Sequence, residues 1–134
     1  MLEESQLKRY LLSRPEAIED YPFGPDAAVY KIADKMFALT FYREGLLNLN
    51  LKCNPREAIE LRDVFDAVKP AYHMNKQHWN TVIVDGSIPR GEIERMIDNS
   101  YALVVKGLKK LVRQGLEVRH GRQAIYGTLP DRPP

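Results

Sequence analysis

The side chains best suited to chemistry are concentrated in one short segment, AYHMNKQHWN at positions 71–80. It contains two of the three histidines and the only tryptophan, and its candidate site residues are His73, Asn75, Lys76, His78 and Trp79. Histidine can transfer protons near neutral pH and can bind metals. Lysine and asparagine can donate hydrogen bonds to phosphates, and aromatic rings beside basic groups are typical of nucleic-acid contacts. The composition of the segment therefore suggests an active site, a metal site or a docking surface.

Metal binding and catalysis lack the further groups that they need. A four-residue turn over positions 74–77 between antiparallel strands would place His73 directly opposite His78, with Cβ atoms ~5 Å apart. Tetrahedral metal sites require three or four ligands, and the segment contains no cysteine or acid. The chain also has no G-x-S-x-G elbow and no glycine-rich phosphate loop. We therefore expect no metal, no cofactor and no enzymatic activity.

The same residues also fit a structural role. Asn75 readily adopts turn geometry, and a histidine can tie a loop to backbone groups. Trp79 can anchor a hairpin in the core with its indole N–H satisfied nearby. Lys76 and His78 are the better candidates for a surface role, because the tip of a hairpin can donate hydrogen bonds to phosphates.

Charge is distributed unevenly along the chain. The formal net charge is +2 over 134 residues, but positions 105–134 carry seven Lys and Arg against two acids. Positions 1–104 carry 13 bases and 16 acids. Such a basic stretch can bind phosphate backbones or acidic protein surfaces, so Lys106, Lys109 and Lys110 are further candidate contacts.

Size and composition indicate one soluble globular domain. Hydrophobic residues make up 44% of the chain and charged residues 28%, which is ordinary for such proteins. No apolar run approaches the ~20 residues that span a bilayer, and the first residues do not resemble a secretory signal. The single cysteine, Cys53, cannot form an internal disulfide, so a cytoplasmic location without a membrane partner is expected.

Hydrophobic periodicity predicts the element order α-β-β-β-α-β-β-α. The predicted helices cover 5–14, a segment that begins at Asn54-Pro55, and a segment from about 89 to 111. The predicted strands cover 27–33, 36–42, 46–52, 68–73 and 78–85, with a loop at 18–26 and a two-residue turn at Asp34-Lys35. The fold class is thus α+β, a single-domain sandwich in which an antiparallel sheet packs against helices.

Alternating residues predict which side chains enter the core. Leu47, Leu49 and Leu51 are expected to point inward, with Asn48, Asn50 and Lys52 pointing outward. The predicted core lies on one face of the sheet and one side of the last helix, and it comprises Phe37, Leu39, Phe41, Leu47, Leu49, Leu51, Ile93, Ile97 and Val104. The apolar pattern dissolves after Gly115. We therefore divide the chain into a domain at 1–114 and a basic, flexible tail at 115–134.

The pattern P-x-x-H-x-N-K-x-H-W at 70–79, followed directly by NTVIVDGSIP, resembles the MmcQ/YjbR family of small bacterial proteins. The segments YPFGPDAAVYKI and IDNSYALVVKGL are similar to that family as well, so the resemblance covers about 5–108. It implies the element order given above. It also implies a DNA-binding double wing, in which the loops of β-hairpins act as wings.

The sequence indicates two candidate functions. The first is a non-enzymatic DNA-binding protein with an accessory or regulatory role. Its contacts would come from the 71–80 segment and the basic stretch, namely His73, Asn75, Lys76, His78, Trp79, Lys106, Lys109 and Lys110. The alternative is a protein-interaction or chaperone-like module that does not bind nucleic acid.

Overall fold

A computed structural model describes residues 2–71 and 74–127 and confirms the α+β class. The described elements are α1 (Glu4–Leu12), β1 (Ile18–Asp20), β2 (Ala27–Ile32), β3 (Lys35–Arg43), β4 (Leu46–Lys52), α2 (Pro55–Val64), β5 (Val68–Pro70), β6 (Trp79–Val84), α3 (Arg90–Lys106), α4 (Lys110–His120) and α5 (Arg122–Tyr126). The predicted order lacked β1, α4 and α5. None of the helices in these two ranges has the length and apolar character needed to cross a bilayer.

The six strands form one antiparallel sheet in the order β1-β2-β3-β4-β6-β5. Two-residue turns join β2 to β3 and β3 to β4. In the first turn, Ala33 and Asp34 have φ values of 49° and 67°, and in the second, Glu44 and Gly45 have values of 54° and 78°. Positive φ at both positions is the type I′ geometry that matches strand twist. The first turn lies one residue earlier than predicted.

One face of the sheet packs against α3 and forms the core. Leu49 and Ile97 are both 0% exposed, and Leu47 and Leu51 are also buried, which confirms the predicted inward face of β4. Ser100 of α3 links two strands, because its hydroxyl accepts from the Lys52 N–H at 2.9 Å and donates to the Phe37 carbonyl at 2.7 Å. These two hydrogen bonds therefore hold the middle of α3 over the start of β3 and the end of β4.

A bulge in β3 changes the face on which its aromatic side chains lie. Tyr30 pairs with Ala38 while Lys31 pairs with Met36, so Phe37 is the extra residue. Phe37 is in the core, whereas Leu39 and Phe41 pair with the asparagines of β4 on the other face. The prediction that these three residues share one face is therefore wrong, because the bulge interrupts the alternation.

The second face of the sheet is partly covered. Asn48 is 5% exposed and Asn50 is 0% exposed, so the prediction that they point into solvent is wrong. The Asn50 amide lies 3.3 Å from the Met74 sulfur, and its carbonyl accepts from the Thr81 hydroxyl. Met74 thus covers β4 at this point, and the polar groups of Asn50 are hydrogen-bonded rather than hydrated.

The C-terminal region is folded as far as residue 127. The predicted last helix breaks at Gly107 instead of continuing to 111, and Leu111 is 82% exposed. Beyond the break, Leu116 and Ile125 are buried in the main core. The prediction of a flexible tail is therefore wrong for 115–127, because two buried side chains suffice to dock α4 and α5. Residues 128–134 of the predicted tail lie outside the described residues.

Candidate nucleic-acid interface

The two ends of the sheet carry opposite charge. The lysine end comprises 33–35, 52–53, 74–79 and 106–110, and it contains six lysines and one acid, Asp34. The acidic end comprises 3–4, 21–26, 43–45 and 85–87, and it contains five acids and one arginine, Arg43. The antiparallel topology produces this separation, because successive turns emerge at alternate ends of the sheet.

An open cleft of about 310 Å³, here called the Trp79 cleft, lies at the lysine end. It is lined by Lys35, Met36, Lys52, Trp79, Val104, Gly107 and Leu108. Trp79 is half-buried and lies directly opposite Lys52 in the β4–β6 ladder. Within the described parts of the chain, neither Lys35 nor Lys52 forms an ion pair or a side-chain hydrogen bond. Both ammonium groups can therefore bind an external anion.

The described part of the loop between β5 and β6, residues 74–78, is held by hydrogen bonds within the loop and from neighbouring segments. The Asn75 carboxamide oxygen accepts from the Gln77 N–H at 2.8 Å, which is the turn role expected of asparagine. The Arg62 guanidinium donates to the Lys76 carbonyl, and the Cys53 N–H donates to the His78 carbonyl at 2.8 Å. These contacts hold the backbone and leave the side chains of Asn75, Lys76 and His78 exposed.

The pairing of β5 with β6 differs by one residue from the prediction. A register with His73 opposite His78 would place Pro70 opposite Thr81, but the structure pairs Pro70 with Asn80. A one-residue change moves side chains to the other face of a strand. His73 itself, and with it the predicted histidine pair, lies outside the described residues.

The three lysines of the α3–α4 junction are close to the Trp79 cleft, because Gly107 and Leu108 line it. Lys109 is the N-cap of α4 and Lys110 is its first residue, and both are exposed. The Lys106 ammonium lies 5.6 Å from the centre of the Tyr126 ring, a cation–π distance. The Lys106 ammonium thus interacts with Tyr126 of α5, whereas Lys109 and Lys110 face solvent.

Sequence reasoning selected Trp79 and the junction lysines but missed Lys35 and Lys52. Their positions carried a usable indication: Lys35 begins one strand and Lys52 ends the next. In an antiparallel pair, the start of one strand and the end of its neighbour lie at the same end of the sheet. This rule, applied to charge, would have placed both lysines beside Trp79.

The single cysteine does not add a reactive group. Cys53 is 5% exposed, and its sulfur lies 3.6 Å from a Glu57 carboxylate oxygen. Burial, together with the negative charge of Glu57, raises the pKa of the Cys53 thiol to about 12. Since the thiolate is the nucleophilic form, this environment suits a structural cysteine.

Known proteins are similar in sequence to this chain over most of its length. It is 37% identical over 114 residues to the uncharacterized protein YbdF of Escherichia coli O157:H7, covering 85% of this chain and 92% of YbdF. It is 34% identical over 110 residues to the uncharacterized protein YjbR of Escherichia coli K12, covering 82% of this chain and 93% of YjbR.

Solved structures share the fold. The crystal structure of the Deinococcus radiodurans protein DR2400, with a DUF419 domain, matches with a TM-score of 0.80 at 34% identity and covers 87% of this chain and 88% of that one. A crystal structure of a Pseudomonas syringae protein matches with a TM-score of 0.68 at 30% identity, covering 75% of this chain and 97% of that one. The YjbR family model matches residues 12–103, and the chain therefore belongs to the YjbR family.

Proposed function

We propose that this protein is a non-enzymatic DNA-binding protein with an accessory or regulatory role, and that it contacts DNA phosphates through its lysine end. The observation that carries the proposal is the Trp79 cleft, where one aromatic residue meets two lysines that have no side-chain partner in the described part of the chain. Because one fold can host many functions, the proposal depends on this site and not on the fold.

The lysines supply the electrostatic part of binding. Lysines that contact phosphates release condensed counterions from DNA, and this release drives sequence-independent affinity. Lys35 and Lys52 line the cleft, and Lys109 and Lys110 lie at the adjoining junction. None of these four is paired with a carboxylate in the described residues, so a phosphate does not have to displace an internal partner.

The N-terminus of α4 adds to the positive potential. The first turn of this helix contains no acid, and Lys109 and Lys110 occupy its N-cap and first positions. The free N–H groups of a helix N-terminus attract anions, and the helix dipole increases the effect. Two lysines at this position are unfavourable for the isolated helix, but they favour a bound phosphate.

Two loops beside the Trp79 cleft support a double-wing contact with DNA. The turn at Ala33–Asp34 lies beside β3, and the loop that carries Lys76 precedes β6. Because β4 lies between β3 and β6, the bases of the two loops are ~10 Å apart across the sheet. Trp79 begins β6 between them, where its ring can pack against the sugar of a backbone or stack on an unpaired base.

The acidic end supports the same orientation. An acidic surface repels DNA, so the charge separation would steer the lysine end toward the duplex and keep the opposite end away. The small net charge of +2 is thus compatible with DNA binding if the contacts are confined to one end. We expect moderate affinity with a strong dependence on salt.

The test is fluorescence anisotropy with a labelled duplex across a salt series. Replacing both Lys35 and Lys52 by alanine should lower the slope of log K against log salt by roughly two units, because each lost phosphate contact removes about 0.9. Affinity at low salt should fall roughly tenfold or more. Thermal melts of the variant should match wild type, since neither lysine has a stabilising partner in the described chain.

Arg9→Ala is the matched control, because it removes one positive charge from an exposed position on α1, away from the lysine end. Its salt slope should remain that of wild type. Absence of wild-type binding at low salt would remove the DNA proposal. Because Arg9→Ala removes one charge and the double variant removes two, a loss in Arg9→Ala half as large as that in the double variant would show that binding depends on net charge and not on this site.

One observation favours a protein partner as the second candidate. Leu111 and Val118 of α4 are 82% and 86% exposed, and a seven-residue spacing places them on the same side of the helix. Exposed apolar residues in such a row are typical of interaction surfaces. Replacing both by serine should abolish a protein–protein contact at α4 while leaving the salt slope for DNA unchanged. Loss of DNA binding in that variant would instead move the DNA contact to α4.

A further inference from the structure

The acidic end has a cleft that the proposed DNA contact does not use. It lies between the start of α1, the loop before β2 and the β3–β4 hairpin, and it has an open volume of about 380 Å³. We call it the Tyr42 cleft, and it is lined by Glu4, Tyr21, Pro25, Asp26, Ala28, Thr40, Phe41, Tyr42 and Leu47.

The charge of this cleft is negative. Glu4 and Asp26 line it, and no lysine or arginine is among its lining residues. In the described residues, Asp26 has no side-chain partner, and Glu4 accepts only the Tyr42 hydroxyl, at 2.9 Å. Lys8 lies one turn along α1 from Glu4, and its ammonium nitrogen forms an ion pair with a carboxylate oxygen of Glu19 at 3.2 Å. Among the residues that line the cleft, no cation therefore neutralises Glu4 or Asp26.

The cleft also contains two exposed aromatic side chains. Tyr21 and Tyr42 are 45% and 56% exposed. An aromatic face attracts cations through its quadrupole, and sites that combine several rings with a carboxylate are the usual receptors for organic ammonium ions. Exposed tyrosines beside carboxylates thus indicate an organic cation as the ligand. Carboxylates alone would not distinguish it from other cations.

The molecule uses the same combination twice for its own cations. The Tyr10 hydroxyl donates to Asp98 at 2.7 Å, and the Arg14 guanidinium lies 4.5 Å from the centre of that ring. The Tyr126 hydroxyl donates to Glu117, and the Arg122 guanidinium lies 5.0 Å from its ring centre. Each of these tyrosines therefore has a carboxylate at its hydroxyl and a cation over its face.

Tyr42 has the carboxylate, but it has no cation over its ring among the residues that the structure describes. Its hydroxyl is bonded to Glu4, and that bond raises the pKa of the Tyr42 hydroxyl, which keeps the ring a neutral phenol at physiological pH. Over the described residues, no side-chain cation lies on the Tyr42 ring. More than half of its surface is accessible from the cleft side or from solvent. The ring can therefore receive a cation that comes from outside the molecule.

We propose that the Tyr42 cleft binds an alkylammonium group, with Tyr42 and Tyr21 contacting the cation and its alkyl groups and with Glu4 and Asp26 supplying the opposite charge. The site is at the other end of the sheet from the lysines and is independent of DNA. Its ligand is an organic cation rather than a metal ion, because the aromatic residues offer apolar surface that a hydrated inorganic ion would not use.

The test is titration of ¹⁵N-labelled protein with choline, followed by NMR in the absence of nucleic acid. Choline should shift the amide signals of Phe41, Tyr42 and Leu47 saturably, and those of the Trp79 cleft should not move. The neutral isostere 3,3-dimethyl-1-butanol should bind at least fivefold more weakly, since it lacks the charge. A parallel titration with n-butylammonium decides whether the preferred group is quaternary or primary.

Three variants make the result specific. Tyr42→Leu should weaken choline binding about fivefold, whereas Tyr42→Phe, which retains a ring, should retain most of it. Glu44→Gln removes a nearby acid that does not line the cleft and should have no effect. Equal binding of choline and its neutral isostere would overturn the proposal, as would equal effects of Tyr42→Leu and Glu44→Gln. Shifts spread over the whole acidic surface would also overturn it.

Discussion

The lysine end and the acidic end are built from the same strands but present opposite chemistry. At one end, Trp79 lies beside Lys35 and Lys52, whose ammonium groups have no partners in the described chain. At the other end, Tyr42 lies beside Glu4 and Asp26 in a cleft without a lining cation. Each cleft thus combines exposed aromatic surface with charge of one sign.

An antiparallel sheet places successive loops at opposite ends, so loops of opposite charge are kept apart when their sequences differ in charge. Successive turns emerge at alternate ends, so the loops at each end can acquire their own charge while the core between them stays unchanged. Here that shared core contains Leu49 and Ile97, both fully buried. Changes in either set of loops should therefore alter binding at one end and leave stability and the other end intact.

Removing most of α4 and all of α5 should have the largest effect. A chain that stops before Gly115 loses Leu116 and Ile125, which are 1% and 2% exposed. Burial of two such side chains is worth about 3–6 kcal/mol, so the free energy of unfolding should fall by about that amount. Urea unfolding measures it. Deletion of 128–134 alone is the control and should leave stability unchanged, and equal stability of both truncations would contradict the docking of α4 and α5.

Lys76→Ala should have an intermediate effect that is confined to the lysine end. The Lys76 side chain is exposed, and the hydrogen bond from Arg62 goes to the Lys76 carbonyl. The melting temperature of the variant should therefore equal that of wild type. DNA binding should weaken about equally for all sequences, and the salt slope should fall by roughly one unit. Lys69→Ala, at an exposed position of β5, is the matched control in the same anisotropy series. An unchanged slope for Lys76→Ala would remove the β5–β6 loop as a wing.

The smallest expected effect concerns the ion pairs that hold α4. Hydrogen bonds from Arg119 and then from His120 lower the pKa of Glu16 from 4.5 to about 2. Because the folded pKa lies below the unfolded one, this stabilisation is present above pH ~4.5 and is lost as pH falls toward 2. The pairs are solvent-exposed, so Glu16→Gln should cost no more than about 1 kcal/mol at neutral pH.

Chemical unfolding at a series of pH values checks this sign. The difference in stability between wild type and Glu16→Gln should shrink as pH falls from neutral toward 2. Glu60→Gln is the control, since Glu60 is an exposed glutamate whose partner, Arg56, is 3.9 Å away on the same helix. A difference that grows at low pH would contradict the role of Glu16.

The parts of the fold that follow from local pattern were predictable. Alternation in β4 identified Leu47, Leu49 and Leu51 as core, and Asn54-Pro55 identified the start of α2, where the Asn54 side chain accepts from two N–H groups. What failed depends on contacts distant in sequence. Asn50 is buried because Met74 and Thr81 meet it, and neither contact leaves a trace in the pattern of β4.

Two other errors arose where the hydrophobic pattern does not follow the structure. The helical period continues from Ile93 through Leu111, although the helix ends at Lys106 and Gly107 redirects the chain. In α4 and α5 the period vanishes, yet Leu116 and Ile125 are buried. For the site, the residue types identified Trp79, but its neighbours Lys35 and Lys52 required the strand order.

The most direct test of the DNA contact at the lysine end uses the single tryptophan as a probe. Because Trp79 is the only one in the chain, its indole N–H gives one NMR signal that needs no further assignment. On titration with duplex DNA at low salt, this signal should shift saturably and return as salt is added, while the amide signals of Tyr42 and Glu44 at the acidic end stay in place. DNA binding that leaves the Trp79 indole unshifted and moves the signals of the acidic end would contradict the proposed interface.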